Sequence, residues 1–343
     1  MEKPGWETQN SFARDPRVDV ISYDRPNART LNPPHCRSRG DMRGTLRTTV
    51  SFVATIAVLV LLWEGYKAMG QATGGVWPGT AVNLPVRTNE RSMPHVWDIV
   101  ASLFAPARRG GEDILLVILV RAALWTWRSA FIGFVVGSVV GFGLGVLFVR
   151  SLLAERGLMP YVVASQAVPV LAIAPIIVVW SGRLAFPNWV PISIISAYLA
   201  FYPVAINTLR GLRSPEATSM ELMRSYAASP RQVLWKLQVP ASLPYLFPAL
   251  KISASASVIG AIVGELPAGF PQGLGRAILS FASSFSSAPE KLFASVFISA
   301  LLGLAFVGAV AATERLAVPA AMRLREDPAM EPATMQKPAT VPA

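Results

Sequence analysis

Between Ile114 and Val149 the chain stays apolar for about 36 residues, where one membrane crossing needs only about 20. Arg121, Trp125, Trp127 and Arg128 divide this run. It is too long for one span and too short for two with a turn. The division predicts an interfacial or packed helix over Ile114 to Trp127 and a spanning helix over Ser129 to Val149. Several further apolar runs follow the same logic and place the chain in the all-α class, as a polytopic membrane protein. Composition agrees: 52% of the 343 residues are hydrophobic and 15% charged, against about 25% charged in soluble domains. Mean hydropathy is +0.45.

The net charge of +11 could point to nucleic acid. In a membrane protein it reflects cytoplasmic loops facing lipid headgroups, so membrane lipid is an expected partner and nucleic acid is not. Cys36 is the single cysteine, so no intramolecular disulfide can form, and His35 and His95 lie in separate polar segments. One cysteine and scattered histidines offer no metal site.

Taken in order, residues 1–46 are polar and aperiodic and read as a disordered tail. Arg37, Arg39, Arg43 and Arg47 close it before span 1, Thr48 to Tyr66. A short amphipathic helix starts at Pro94–Val100. Span 2 carries Gly133, Gly137, Gly141 and Gly145 at intervals of four, a smooth stripe where a second helix can come close, either within one subunit or between two. Arg150 to Pro160 reads as a basic loop, Tyr161 to Trp180 as span 3, and Trp189 to Leu209 as span 4. Span 5, Tyr245 to Leu266, is rich in small residues, with Ser257, Gly260 and Gly264 on a face suited to a pathway wall or a helix contact. Glu265 ends it, and its role is open between a structural or solvated one and a substrate or gate contact. Pro267 to Gly275 is a turn, span 6 is Leu292 to Ala312, and residues 318–343 read as a second disordered tail. The membrane domain is thus 47–317, with no basic residue within a span placed to await an anion.

The polar stretch Ser214 to Pro244 reads as a helix-turn-helix. Ser214, Pro215 and Glu216 form a helix start. That helix stops near Ala227 and Ala228. Ser229 and Pro230 start a second, with Gln232 completing a capping box. It runs to about Gln238, where Pro240 and Pro244 end it. A stiff helix pair between two spans is suited to transmitting a push.

These residues resemble the cytoplasmic "EAA" loop of permease subunits in binding-protein-dependent ABC importers. Glu221 takes the acid, Ala228 and Ser229 follow at the family spacing, and Leu237–Pro240 with Pro244 close the motif. Leu222 and Met223 replace the two alanines, and Ala227 replaces the usual glycine. Arg128–Ser129 with Gly133–Phe134, Phe201–Pro203 with Asn207–Thr208, and Gly264–Glu265 with Gly273–Gly275 are similar to the nitrate, sulfonate and taurine branch. The resemblance covers about residues 48 to 316. It implies a six-span permease of the type I importer kind, paired with a second permease copy, a separate cytoplasmic ATPase and an external solute-binding protein. ATP and Mg would belong to the ATPase, and this chain would bind no cofactor. It also implies that Glu221 to Val233 enter a groove of the ATPase. Glu221, Ala228, Ser229 and Gln232 match the motif. Arg224, Ala227, Val233, Tyr226 and Arg231 are further candidates, while capping within the loop is a second role for Glu221 and Ser229.

Charge sets the topology. With six spans, 21 of the 31 lysines and arginines share a side with both tails and the 210–244 loop. The positive-inside rule makes that side cytoplasmic in a multi-pass protein of the bacterial inner membrane. The chain has no G-x-x-x-x-G-K-[ST], G-x-S-x-G or H-E-x-x-H and no paired acids inside a span, so it is not expected to be an enzyme. With few ionisable residues in its spans it lacks an obvious means of using an ion gradient. Energy must then come from a partner. The rival reading is a membrane scaffold or receptor subunit whose loop binds a cytoplasmic protein without transport. The resemblance implies a small sulfonate-, nitrate- or taurine-like solute or another small organic one.

Overall fold

A computed structural model describes residues 40–76, 82–86, 88–90, 92–107 and 113–317. The expected tails, with His35, Cys36, Arg37 and Arg39, fall outside these residues apart from positions 40–46. The chain divides into two compact units, Met1–Leu61 and Leu62–Ala343. The described part of the first is the leading portion of α1, Gly40–Ala72. That helix therefore starts inside the segment read as tail.

The second unit holds the rest of α1 and ten further helices: α2 (Val96–Phe104), α3 (Leu115–Arg150), α4 (Leu152–Ser165), α5 (Val170–Arg183), α6 (Trp189–Leu212), α7 (Ala217–Ser225), α8 (Pro230–Val233), α9 (Val239–Ala268), α10 (Leu274–Ser283) and α11 (Pro289–Ala317). Five helical stretches are long and apolar enough to cross a membrane, and a sixth crossing arises if α4 and α5 count as one broken span. The pairing requirement for backbone groups in hydrocarbon explains why helix accounts for nearly all of this region.

Three expectations change. First, α3 is one helix of 36 residues, about 54 Å at ~1.5 Å per residue, not an interfacial helix followed by a span. Arg121, Trp125, Trp127 and Arg128 are competent helix formers, and no proline stands between Leu115 and Arg150 to break the ladder. Second, Arg150–Pro160 is not a loop. Ser151 caps α4 through its side chain, which accepts from Ala154 N at 3.2 Å. The expected span Tyr161–Trp180 breaks at Gln166–Pro169, and α5 leaves at 97°. Pro169 disfavours helix at the residue before it and starts the new helix. Third, Pro240 and Pro244 do not end the second loop helix. A π-turn over Leu234–Gln238 joins α8 to α9, with Val239 N donating to Leu234 O. The wider turn redirects the hydrogen bonds that a proline ring disrupts, so Pro240 sits in the first turn of α9.

At the centre α3, α6 and α9 pack along their lengths. A Cβ at Gly133 would lie 2.3 Å from Ser196 Cβ, one at Gly141 2.4 Å from Phe201 O, and one at Gly145 2.6 Å from Thr208 Cβ. The stripe therefore brings α3 onto the backbone of α6, as does Gly137, which faces Ala197 O. The small face of α9 approaches the other side of α6. Gly260 faces Ser196 Cα, Gly264 faces Ile195, and Ser253 Oγ donates to Ala200 O at 2.8 Å. Ser257 Oγ is turned inward to Ala254 O. One core joins Ala130, Ile192, Val258, Ala261 and Phe306, and a second joins Leu103, Leu115, Leu119, Leu274 and Ala294. Where α1 meets α2, Glu64 accepts from Val96 N at 2.9 Å and contacts His95 Nδ1 at 2.7 Å. Buried Lys67 forms an ion pair, short of an aligned hydrogen bond, with Glu90 at 3.1 Å.

Candidate functional site

The α7–α8 loop is shaped by local bonds. α7 starts two residues later than its sequence suggested, with Glu216 rather than Ser214 at the N-cap. Ser214 instead donates to Gly211 O at 2.7 Å and Ala241 O at 3.3 Å, which pins the loop to the start of α9. At the other end of α7, Ala228 N donates to Met223 O and Ala227 N to Arg224 O, the paired bonds of a Schellman ending. That ending needs a left-handed residue, and Ala227 takes it at φ +49. An alanine there costs about 1–2 kcal/mol that glycine would not. Ser229 and Gln232 then form the expected capping box: Ser229 N donates to Gln232 Oε1 at 2.8 Å and Gln232 N to Ser229 Oγ at 3.4 Å.

This self-contained shape leaves side chains facing out. Glu221, Arg224, Tyr226, Ala227, Ser229, Arg231 and Gln232 are exposed, while Ala228 and Val233 are half-buried. Leu222, Tyr226 and Trp235 add apolar surface, Tyr226 being 78% exposed. Two long-range contacts that sequence reasoning missed brace the region. Arg150, the last residue of α3, donates to Pro230 O at 3.3 Å. Arg213 donates to Glu155 on α4 at 2.9 Å. The partners are 80 and 58 residues apart, so no short-range pattern could have revealed them.

The opposite end of α3 carries a second constellation. Glu265 is fully buried. Its Oε1 accepts from Thr126 Oγ1 at 2.8 Å, and its Oε2 accepts from Gly275 N at 2.7 Å. Thr126 Oγ1 in turn accepts from Leu274 N at 2.9 Å. The first two N–H groups of α10 thus have partners on α3 and α9, taking the place of a local cap, which Gly273 cannot supply. Gly273 (φ +102) admits this approach, since a Cβ there would lie 2.4 Å from the carboxyl. Helix α10 and the role of Thr126 were not foreseen. A solvated position for Glu265 is ruled out by its burial. Arg121, on α3, lines a cleft of about 460 Å³ with Arg276 of α10. Arg128 lies over the Trp189 ring at 5.5 Å. Gly133, Gly137, Gly141, Gly145, Ser257, Gly260 and Gly264 are turned to helix contacts inside the chain rather than to either constellation.

Comparison with known proteins adds an independent line. The family model for "Binding-protein-dependent transport system inner membrane component" matches residues 133–317, a stretch that includes α7, α8 and Glu265. The formylaminopyrimidine transport permease protein ThiX of Halalkalibacterium halodurans is 35% identical over 188 residues, 55% of this chain and 72% of that protein. The putative aliphatic sulfonates transport permease protein SsuC of Bacillus subtilis is 29% identical over 82% of this chain and 89% of that protein. The nitrate import permease protein NrtB of Leptolyngbya laminosa is 25% identical over 63% of this chain and 68% of that protein. With its apolar helices and more than half its length matched, the chain belongs to the family of inner membrane permease components of binding-protein-dependent ABC importers.

Proposed function

We propose that this permease subunit forms the pathway for a small solute and is driven by a separate ATPase that receives the α7–α8 loop. The observation that carries the reading is the loop itself: a helix pair fixed by its own caps, with Glu221, Arg224, Tyr226, Arg231 and Gln232 exposed and Arg150 bracing it to the end of α3. In this reading a displacement of α8 passes to α3 through Arg150 and to α9 through the π-turn, and both helices pack on α6. Both tails and the loop lie in the cytoplasm, as the excess of basic residues on that side favours. A second copy of the chain completes the pathway, membrane lipid surrounds it, and an external solute-binding protein delivers the solute. ATP and Mg are held by the ATPase. The names of the relatives span sulfonate, nitrate and formylaminopyrimidine transport, so the solute is a small organic compound or anion.

The test is co-purification of the ATPase with Glu221→Ala and Ala228→Asp chains from native membranes. An unpaired carboxylate forced into a groove costs several kcal/mol, so Ala228→Asp should lower ATPase recovery more than about tenfold. Glu221→Ala should uncouple hydrolysis from solute. Unchanged recovery and unchanged coupling in both would end the docking proposal.

A further inference from the structure

The cleft beside α10 has two walls. On α3 stand Ile118, Arg121, Ala122 and Trp125, and on the other side Gln272, Arg276 and Ser280 belong to α10 and the segment leading into it. Arg121 and Trp125 are four residues apart and share a helix face. Arg276 comes from the far wall. Neither arginine has an ion-pair partner among the described residues, and none of the lining residues is acidic. The Glu265 carboxyl lies behind Gly273 and is occupied by Thr126 and Gly275. Two guanidinium groups from opposite walls of one concavity form a positive site with no counter-charge among the described residues.

We infer that this cleft is an anion site in which Arg121 and Arg276 together hold the oxyanion of a small solute whose apolar part lies against Trp125. The guanidinium fork matches carboxylate, sulfonate and phosphonate oxygens bidentately, and Gln272 and Ser280 supply further donors. The same ligand bridges α3 and α10, the joint that Glu265 and Thr126 already tie. Occupancy of the cleft therefore acts on the seating of α10. The inference rests on the permease reading only for the side it faces: with the tails cytoplasmic, the Leu115 end of α3 and the cleft are external.

Iodide and caesium quenching of Trp125 fluorescence tests the site, with the full chain in phosphatidylcholine nanodiscs that expose both faces. The Trp125 signal is the difference between wild type and Trp125→Phe. A cleft that concentrates anions should raise the iodide-to-caesium quenching ratio roughly threefold or more above that of free N-acetyltryptophanamide. Arg121→Gln with Arg276→Gln should erase that excess, and Arg121→Lys with Arg276→Lys should restore most of it, which separates lost charge from lost folding. Methanesulfonate should compete with iodide. A ratio no higher than that of free N-acetyltryptophanamide, or an excess that survives the double glutamine variant, overturns the inference. So does protection by phosphatidylglycerol nanodiscs without competition by methanesulfonate, which marks a lipid headgroup site. No ATPase is needed, so a chain that fails to recruit one leaves this result untouched.

Discussion

In the α7–α8 loop the turn is held by bonds spanning three to five residues, Ser229 with Gln232 and Ala228 with Met223. At the α10 joint, Thr126 on α3 reaches across 139 residues of chain to Glu265 on α9 and 148 to Leu274 on α10. The loop carries its own form into solvent and leaves its polar groups for a partner. The joint has no form until three helices have assembled, and its polar groups are buried and used. The first construction can move as a unit without losing its form, whereas the second depends on how the three helices sit together.

The contrast can be broken most severely at the helices that connect the two ends. Gly141→Leu drives a side chain into Phe201 O and Val204. Overpacking of this kind costs about 1–3 kcal/mol and more against backbone. The variant should lose the monodisperse folded form in detergent, while Gly143→Ala, which meets nothing within 4 Å, should match wild type by size-exclusion chromatography and thermal unfolding. At the joint, Glu265→Ala strands Gly275 N–H, while the Thr126 hydroxyl keeps Ala122 O as an acceptor. A buried group left without a partner costs about 1–3 kcal/mol. Hydrogen exchange should rise in α10 and stay unchanged in α7 and α8, and Glu265→Gln should recover part of the loss.

The loop should respond in the other direction. Ala227→Gly removes the left-handed strain and should stabilise the turn by about 1 kcal/mol, seen as slower exchange of the Ala228 amide without any change in α10. The smallest effect concerns Glu90, where the Lys67 ammonium holds the carboxyl below the ordinary 4.5. A depressed acid contributes stability above 4.5 that is lost as pH falls through its folded value. Glu90 is 64% exposed, so water screens the pair. Glu90→Gln should lower neutral-pH stability slightly and flatten the fall of stability below about pH 4.5, where the two chains converge.

Much of this was readable where chemistry is local. The Ser229–Gln232 capping box, the α7 stop before Ser229 and the glycine interval on α3 are patterns over three to five residues, and the structure has all of them. What escaped depends on distant chain. Nothing near Thr126 says that it meets Glu265, and nothing near Pro240 says that a π-turn upstream will carry the helix past it. The arginines of α3 were read as a break because charge inside an apolar run resembles a boundary. In the fold they stay in the helix, with Arg128 over Trp189 and Arg121 at the cleft.

The central claim is that the loop is the seat of an ATPase. The most direct measurement is a pull-down of the tagged chain from detergent-solubilised native membranes, with quantitative mass spectrometry of what accompanies it. The account predicts a P-loop ATPase in about equal amount with wild type and its loss with Ala228→Asp. A chain that comes down alone, or with a partner of another kind, would contradict it.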